Sequence, residues 1–157
     1  SITIRMSQKE GYDARFGIER HFVKKIGGRE MLALETAEEQ LALLSGFSVE
    51  QELIFLQKTL IDAENAVNEM DTIARLWKQG DPDALDRYMR KSFGNSKEMR
   101  QLYKVMLTDR NRRMTDKIEG FLRSKGAYFV VVGAGHPVGK EGIVELLCRR
   151  QILVQQQ

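Results

Sequence analysis

Between Ser48 and Lys78 the apolar residues Val49, Leu53, Leu56, Leu60, Ala63, Val67, Met70, Ala74 and Trp77 recur at steps of three and four. That spacing predicts a helix, and Ser48-Val49-Glu50-Gln51 opens it as a capping box. Roughly thirty helical residues span about 45 Å, so such a helix must pack along a partner or break in the middle. Composition sets the scale on which this happens. The chain has 157 residues, 42% hydrophobic and 30% charged, which predicts one domain over 1–157. A chain of this size buries roughly 70% of its unfolded surface. The single cysteine, Cys148, rules out an internal disulfide. Twenty-five basic and 22 acidic residues are interspersed and leave a net charge of +3, a pattern that argues against nucleic-acid binding. No apolar run approaches the eighteen or so residues of a membrane span. No signal peptide is recognisable, and a start at Ser1 is expected of a fragment or a processed form.

Further helices follow from local signals. A short helix from Gly17 to Ile26 ends at Gly27-Gly28, and Thr36 with Glu39 forms another capping box. Asp81-Pro82 starts the helix to Ser92, Ser96 caps one reaching about Ser124, and a last one runs from Glu141 to Arg149. Around this helical stretch, 48–125, lie three candidate strands, Glu30–Leu34, Ala127–Val132 and Ile152–Val154, and the alternating Ile2–Met6, a short strand or an extended arm. Apolar runs of this length that feed helices predict an α/β fold, with a small, mostly parallel sheet and a large helical insertion.

Three places in that frame carry chemistry. Ala127–Val132 delivers Gly133-Ala134-Gly135-His136-Pro137-Val138-Gly139 to the carboxyl end of a strand, where α/β sheets present ligands. Gly133 and Gly135 let the backbone approach a ligand or cofactor closely, and His136 can ligate a metal or move a proton. The loop is neither a dinucleotide fingerprint (Val138 where glycine is needed) nor a phosphate-binding loop (Ala134 and Glu141 at the required Gly and Ser/Thr). A tight turn with an incidental histidine is the plain alternative. Glu35 ends the other apolar run, so it emerges on the same edge as His136; otherwise it merely favours a helix start. On the helix from Ser96, Met99, Leu102, Met106, Met114, Ile118, Phe121 and Leu122 form the inward stripe. Arg110 and Asn111 interrupt it, so both point inward, and a buried guanidinium needs a carboxylate or an anion. Glu35 is the natural partner. Arg112 and Arg113 fall on the solvated face, and His21 has no clustered partner.

Four blocks resemble the TraB/GumN family, which includes the Tiki proteins: Tyr12–Glu19, Leu34–Leu41, Thr108–Met114, and Phe129–His136 with Val138-Gly139 and Gly142-Ile143. Pro137 stands where the family usually has Leu, and Glu19 where it has Asp. Gly133 to His136 matches the second of the family's two Gly-x-x-His motifs, and the first lies upstream of anything in this chain. The resemblance therefore implies the C-terminal portion of a domain related to the erythromycin-esterase and ChaN group. It also implies a metal-dependent, peptidase-like hydrolase that uses Mn, Co or Zn on a peptide or small-molecule substrate, often in the cell envelope. His136 would be a metal ligand, Glu35 a ligand or general base, and Arg110 with Asn111 would hold an acid or the developing oxyanion. A catalytic metal needs about three protein ligands, so a chain lacking the first motif is expected to be inactive alone. The alternative is a noncatalytic module in which the helix from Ser48 pairs two copies as a homodimer.

Overall fold

The helical periodicity of 48–78 is realised as two helices. In the computed structural model, which describes residues 8 and 11–156, a 3₁₀ turn (Ala14–Phe16) leads into α1 (Ile18–Val23), followed by α2 (Ala37–Ser45). Then come α3 (Val49–Glu64), α4 (Ala66–Gln79), α5 (Pro82–Phe93), α6 (Lys97–Tyr103), a π-helical turn (Lys104–Thr108), α7 (Asp109–Leu122) and α8 (Ile143–Arg149). The break lies at Asn65, whose φ of −109° and ψ of 8° leave the helical region while its side-chain Nδ2 donates to the Ile61 carbonyl. Ala63 and Ala66 beside it are 6% and 2% exposed, so the two small side chains let the backbones turn closely.

The start signals act as their chemistry dictates. Thr36 and Glu39 exchange both capping-box bonds, and so do Ser48 and Gln51. Asp81 accepts from the Ala84 amide and Ser96 from the Met99 amide, at 2.9 and 3.1 Å. Gly80 closes α4 in the left-handed conformation at φ 66°, which only glycine adopts without strain. The helix from Ser96 is three pieces, because the π-helical turn interrupts it. Packing follows chain order: α4 lies on α5, α3 and α5 on α6, and α7 on α8.

The α/β expectation is overturned. Among the described residues there is no strand and no sheet, and the architecture is helical. Glu30–Leu34, Ala127–Val132 and Ile152–Val154 are irregular segments, and Ile2–Met6 lies outside the described residues. No backbone–backbone hydrogen bond ties residues 30–35 or 127–132 to one another. An apolar run signals burial, and here burial comes from single anchors instead of a ladder. Leu34, Val132 and Ile152, one from each run, pack on the cluster of Met114, Ile118, Ile143 and Leu147 where α7 meets α8. Their neighbours stay outside: Phe129 is 71% exposed and Leu153 96%. Among the described residues no helix is long and apolar enough to cross a membrane.

Candidate functional site

The first turn of α7 gathers what the sequence scatters over a hundred positions. The Arg110 Nε and Nη2 donate to the two Glu35 oxygens at 2.8 and 2.6 Å, a bidentate bridge between residues 75 apart in the chain. The Glu35 and Arg110 side chains are 6% and 18% exposed, so each needs the other to be tolerated there. The third guanidinium nitrogen, Nη1, donates to the Met106 carbonyl in the π-helical turn at 3.1 Å. Such turns shift the phase of the following helix, and they recur at functional sites. Lys117, two turns on, donates to the Leu34 carbonyl at 2.8 Å and so fixes the segment that carries Glu35.

Asn111, 3% exposed, holds the other half. Its Nδ2 donates to the Glu141 carbonyl at 2.8 Å, which leaves Oδ1 as an acceptor for the His136 Nδ1 at 2.6 Å. His136 must therefore carry its proton on Nδ1. Nε2 keeps a lone pair and has no hydrogen-bond partner among the described residues. The fully buried Thr115 donates to the Asn111 carbonyl at 2.7 Å and steadies this turn. The His136 main chain is fixed as well, since its N–H donates to Gly133 and its carbonyl accepts from Ile143, the first residue of α8.

Electrostatics follow from this packing. Burial, followed by the Arg110 charge, pushes the His136 imidazole below its ordinary value and keeps it neutral. The hydrogen-bonded Arg110 guanidinium holds the Glu35 carboxyl below the usual carboxylate range.

Two glycines of this loop sit close against neighbouring side chains. Gly139, at φ 78°, lies against the Asp86 carboxylate, and a Cβ on Gly135 would run into the Met89 side chain. The loop is thus seated on α5, with Gly135 turned to that helix and Gly133 exposed. Neither Met89 nor Asp86 carries a sequence signal that marks it as a neighbour of the loop. No sequence signal marks Glu141 either, although its carbonyl orients Asn111 and its carboxylate meets Arg112 at 3.1 Å. Arg112 is on the solvated face, as its helical phase predicts, and His21 is exposed.

A divalent metal fits these residues poorly. Both Glu35 oxygens accept from Arg110, and among the described residues no group of three or more His, Cys, Asp or Glu side chains converges. His136 Nε2 is a single available donor next to a fixed positive charge, short of the three ligands a catalytic metal uses.

Replacing Arg110 with Ala leaves a buried carboxylate unpaired and is expected to lower stability by about 3–5 kcal/mol, read by urea denaturation. Glu35→Gln should cost less, because the Gln amide oxygen still accepts from Arg110, whose side chain is the more exposed of the pair. The pH dependence has one sign. With the His136 pKa lowered on folding, the unfolded chain takes up that proton first, so stability is full above the ordinary value of 6.5 and falls below it. The Glu35 contribution is present above its ordinary 4.5 and is lost as pH falls through its depressed folded value.

Three comparisons bear on identity. No curated protein and no solved structure matches the chain. A family model does, over residues 1–156. With its Gly133–His136 loop and its Glu35–Arg110 pair in place, the chain belongs to the TraB/PrgY/gumN family.

Proposed function

We propose that this chain supplies the acid–base half of a hydrolase site that acts on a peptide or a small-molecule substrate. The observation that carries the reading is the chain of hydrogen bonds from Glu141 through Asn111 to His136, which fixes one tautomer and leaves Nε2 without a partner among the described residues. A neutral, oriented imidazole accepts a proton from an attacking water or hydroxyl and returns it to the leaving group. Arg110 stands close enough to depress the histidine, so its charge also reaches an oxyanion developing beside that ring. Glu35 holds the guanidinium in place and is a positioning residue in this reading. If the complete site is metal-dependent, as the family resemblance implies, His136 is the ligand this chain offers. At least two further ligands must then come from outside the described residues.

Hydrolysis of peptide and ester substrates by the native protein, with Mn or Co supplied, tests the reading. His136→Ala should abolish turnover, and Asn111→Ala should reduce it by roughly 10- to 100-fold, as loss of an orienting partner does. Undiminished turnover in His136→Ala would overturn it.

A second reading rests on α3. Val49, Leu53, Leu56 and Leu60 step by 4, 3 and 4 along it and are 73%, 57%, 54% and 50% exposed. Such a stripe has the spacing of a helix-pairing seam, which favours a homodimer through α3. Light scattering should then give twice the chain mass for the wild type and the monomer mass for Leu53→Glu/Leu56→Glu. A monomeric wild type would exclude the seam.

A further inference from the structure

The segment from Arg15 to Arg29, which contains α1, takes no part in the site built on α7. It holds five basic residues, Arg15, Arg20, Lys24, Lys25 and Arg29, against one acidic residue, Glu19. Its local net charge of +4 exceeds the +3 of the whole chain. Arg15 is engaged by Asp13 at 2.6 Å, whereas Arg20, Lys24, Lys25 and Arg29 have no ion-pair partner among the described residues. Bulky apolar side chains are interleaved with these charges and face water: Phe16 is 82% exposed, Ile18 and Val23 49%, and Phe22 36%. α1 buries no residue of its own. Six residues cannot sustain a helix in water without a surface to lie on. The two side-chain types also share one surface, because Arg15, Phe16, His21 and Lys24 line a single shallow depression. The patch extends to the exposed Phe129, whose ring lies 4.5 Å from that of Phe22.

We infer that this patch docks the protein on an anionic phospholipid surface. Positive charge draws it to the headgroups, and the aromatic and aliphatic side chains enter the boundary between headgroups and acyl chains. A nucleic acid would satisfy the charges but would leave Ile18 and Val23 without a partner, since the phosphate backbone rewards no aliphatic surface. A short helix with one unpaired cation, followed by three more at Lys24, Lys25 and Arg29, gives weak, reversible and salt-sensitive attachment, distinct from spanning.

Co-sedimentation of the purified protein with vesicles tests this directly. Vesicles of phosphatidylcholine with phosphatidylglycerol should bind the protein about tenfold or more tightly than phosphatidylcholine alone, and high salt should abolish the difference. Arg20→Glu/Lys24→Glu should remove the preference, and Phe16→Ser/Phe22→Ser should weaken binding to both vesicle types. Circular dichroism identifies any variant that loses its helices, in which case the salt dependence of the unmodified protein decides. Equal binding to both vesicles, no binding to either, or binding to duplex DNA but not to anionic vesicles would each overturn the inference.

Discussion

Two adjacent residues at the start of α7 set the arrangement of everything around them. Arg110 reaches across the fold to Glu35, and Asn111 reaches to His136 and to the chain at Glu141. Together with Lys117, which donates to the Leu34 carbonyl, and Arg112, which meets the Glu141 carboxylate, these bonds tie segments 34–35 and 136–141 to α7 by side chains in place of the hydrogen-bond ladder that a sheet would have supplied. The cost of burying a charge makes this connection specific. A guanidinium that is mostly withdrawn from water is tolerable only with its carboxylate in place. Below that turn, Met114 and Ile118 of α7 meet Ile143 and Leu147 of α8, and the apolar segments fasten to this core by one side chain each.

The same turn determines which chemistry is open. An imidazole with one nitrogen tied to an amide oxygen has its tautomer decided by its neighbour, and the neighbour here is itself anchored to a backbone carbonyl. Glu35, which resembles a metal ligand or base when considered alone, has both oxygens committed to Arg110. The candidate site therefore divides into a responsive part, His136, and a rigid part that orients it.

Reading the sequence recovers what is decided locally. The caps at Thr36, Ser48, Asp81 and Ser96 depend on three or four successive residues, and all four form. Helical phase is also local, which is why Arg110 and Asn111 could be placed inward, whereas the match of Glu35 to Arg110 came from the need of an inward guanidinium for a carboxylate. The sheet could not be decided that way. Val130, Val131 and Val132 have the composition of a strand, but strand formation needs a partner from elsewhere in the chain, and here Val132 alone packs where α7 meets α8. The π-helical turn and the seating of Gly135 on Met89 are equally nonlocal. A glycine in sequence announces only that some close approach occurs, and its partner comes from the fold.

The protonation state of His136 tests the account most directly, because the proposed chemistry and the geometry of the α7 turn both converge on it. Long-range ¹⁵N–¹H NMR correlation on the labelled protein near neutral pH separates the two imidazole nitrogens. The account predicts a neutral ring with its proton on Nδ1, and loss of that preference in Asn111→Ala. A ring protonated on Nε2, or a charged imidazolium at that pH, would contradict it.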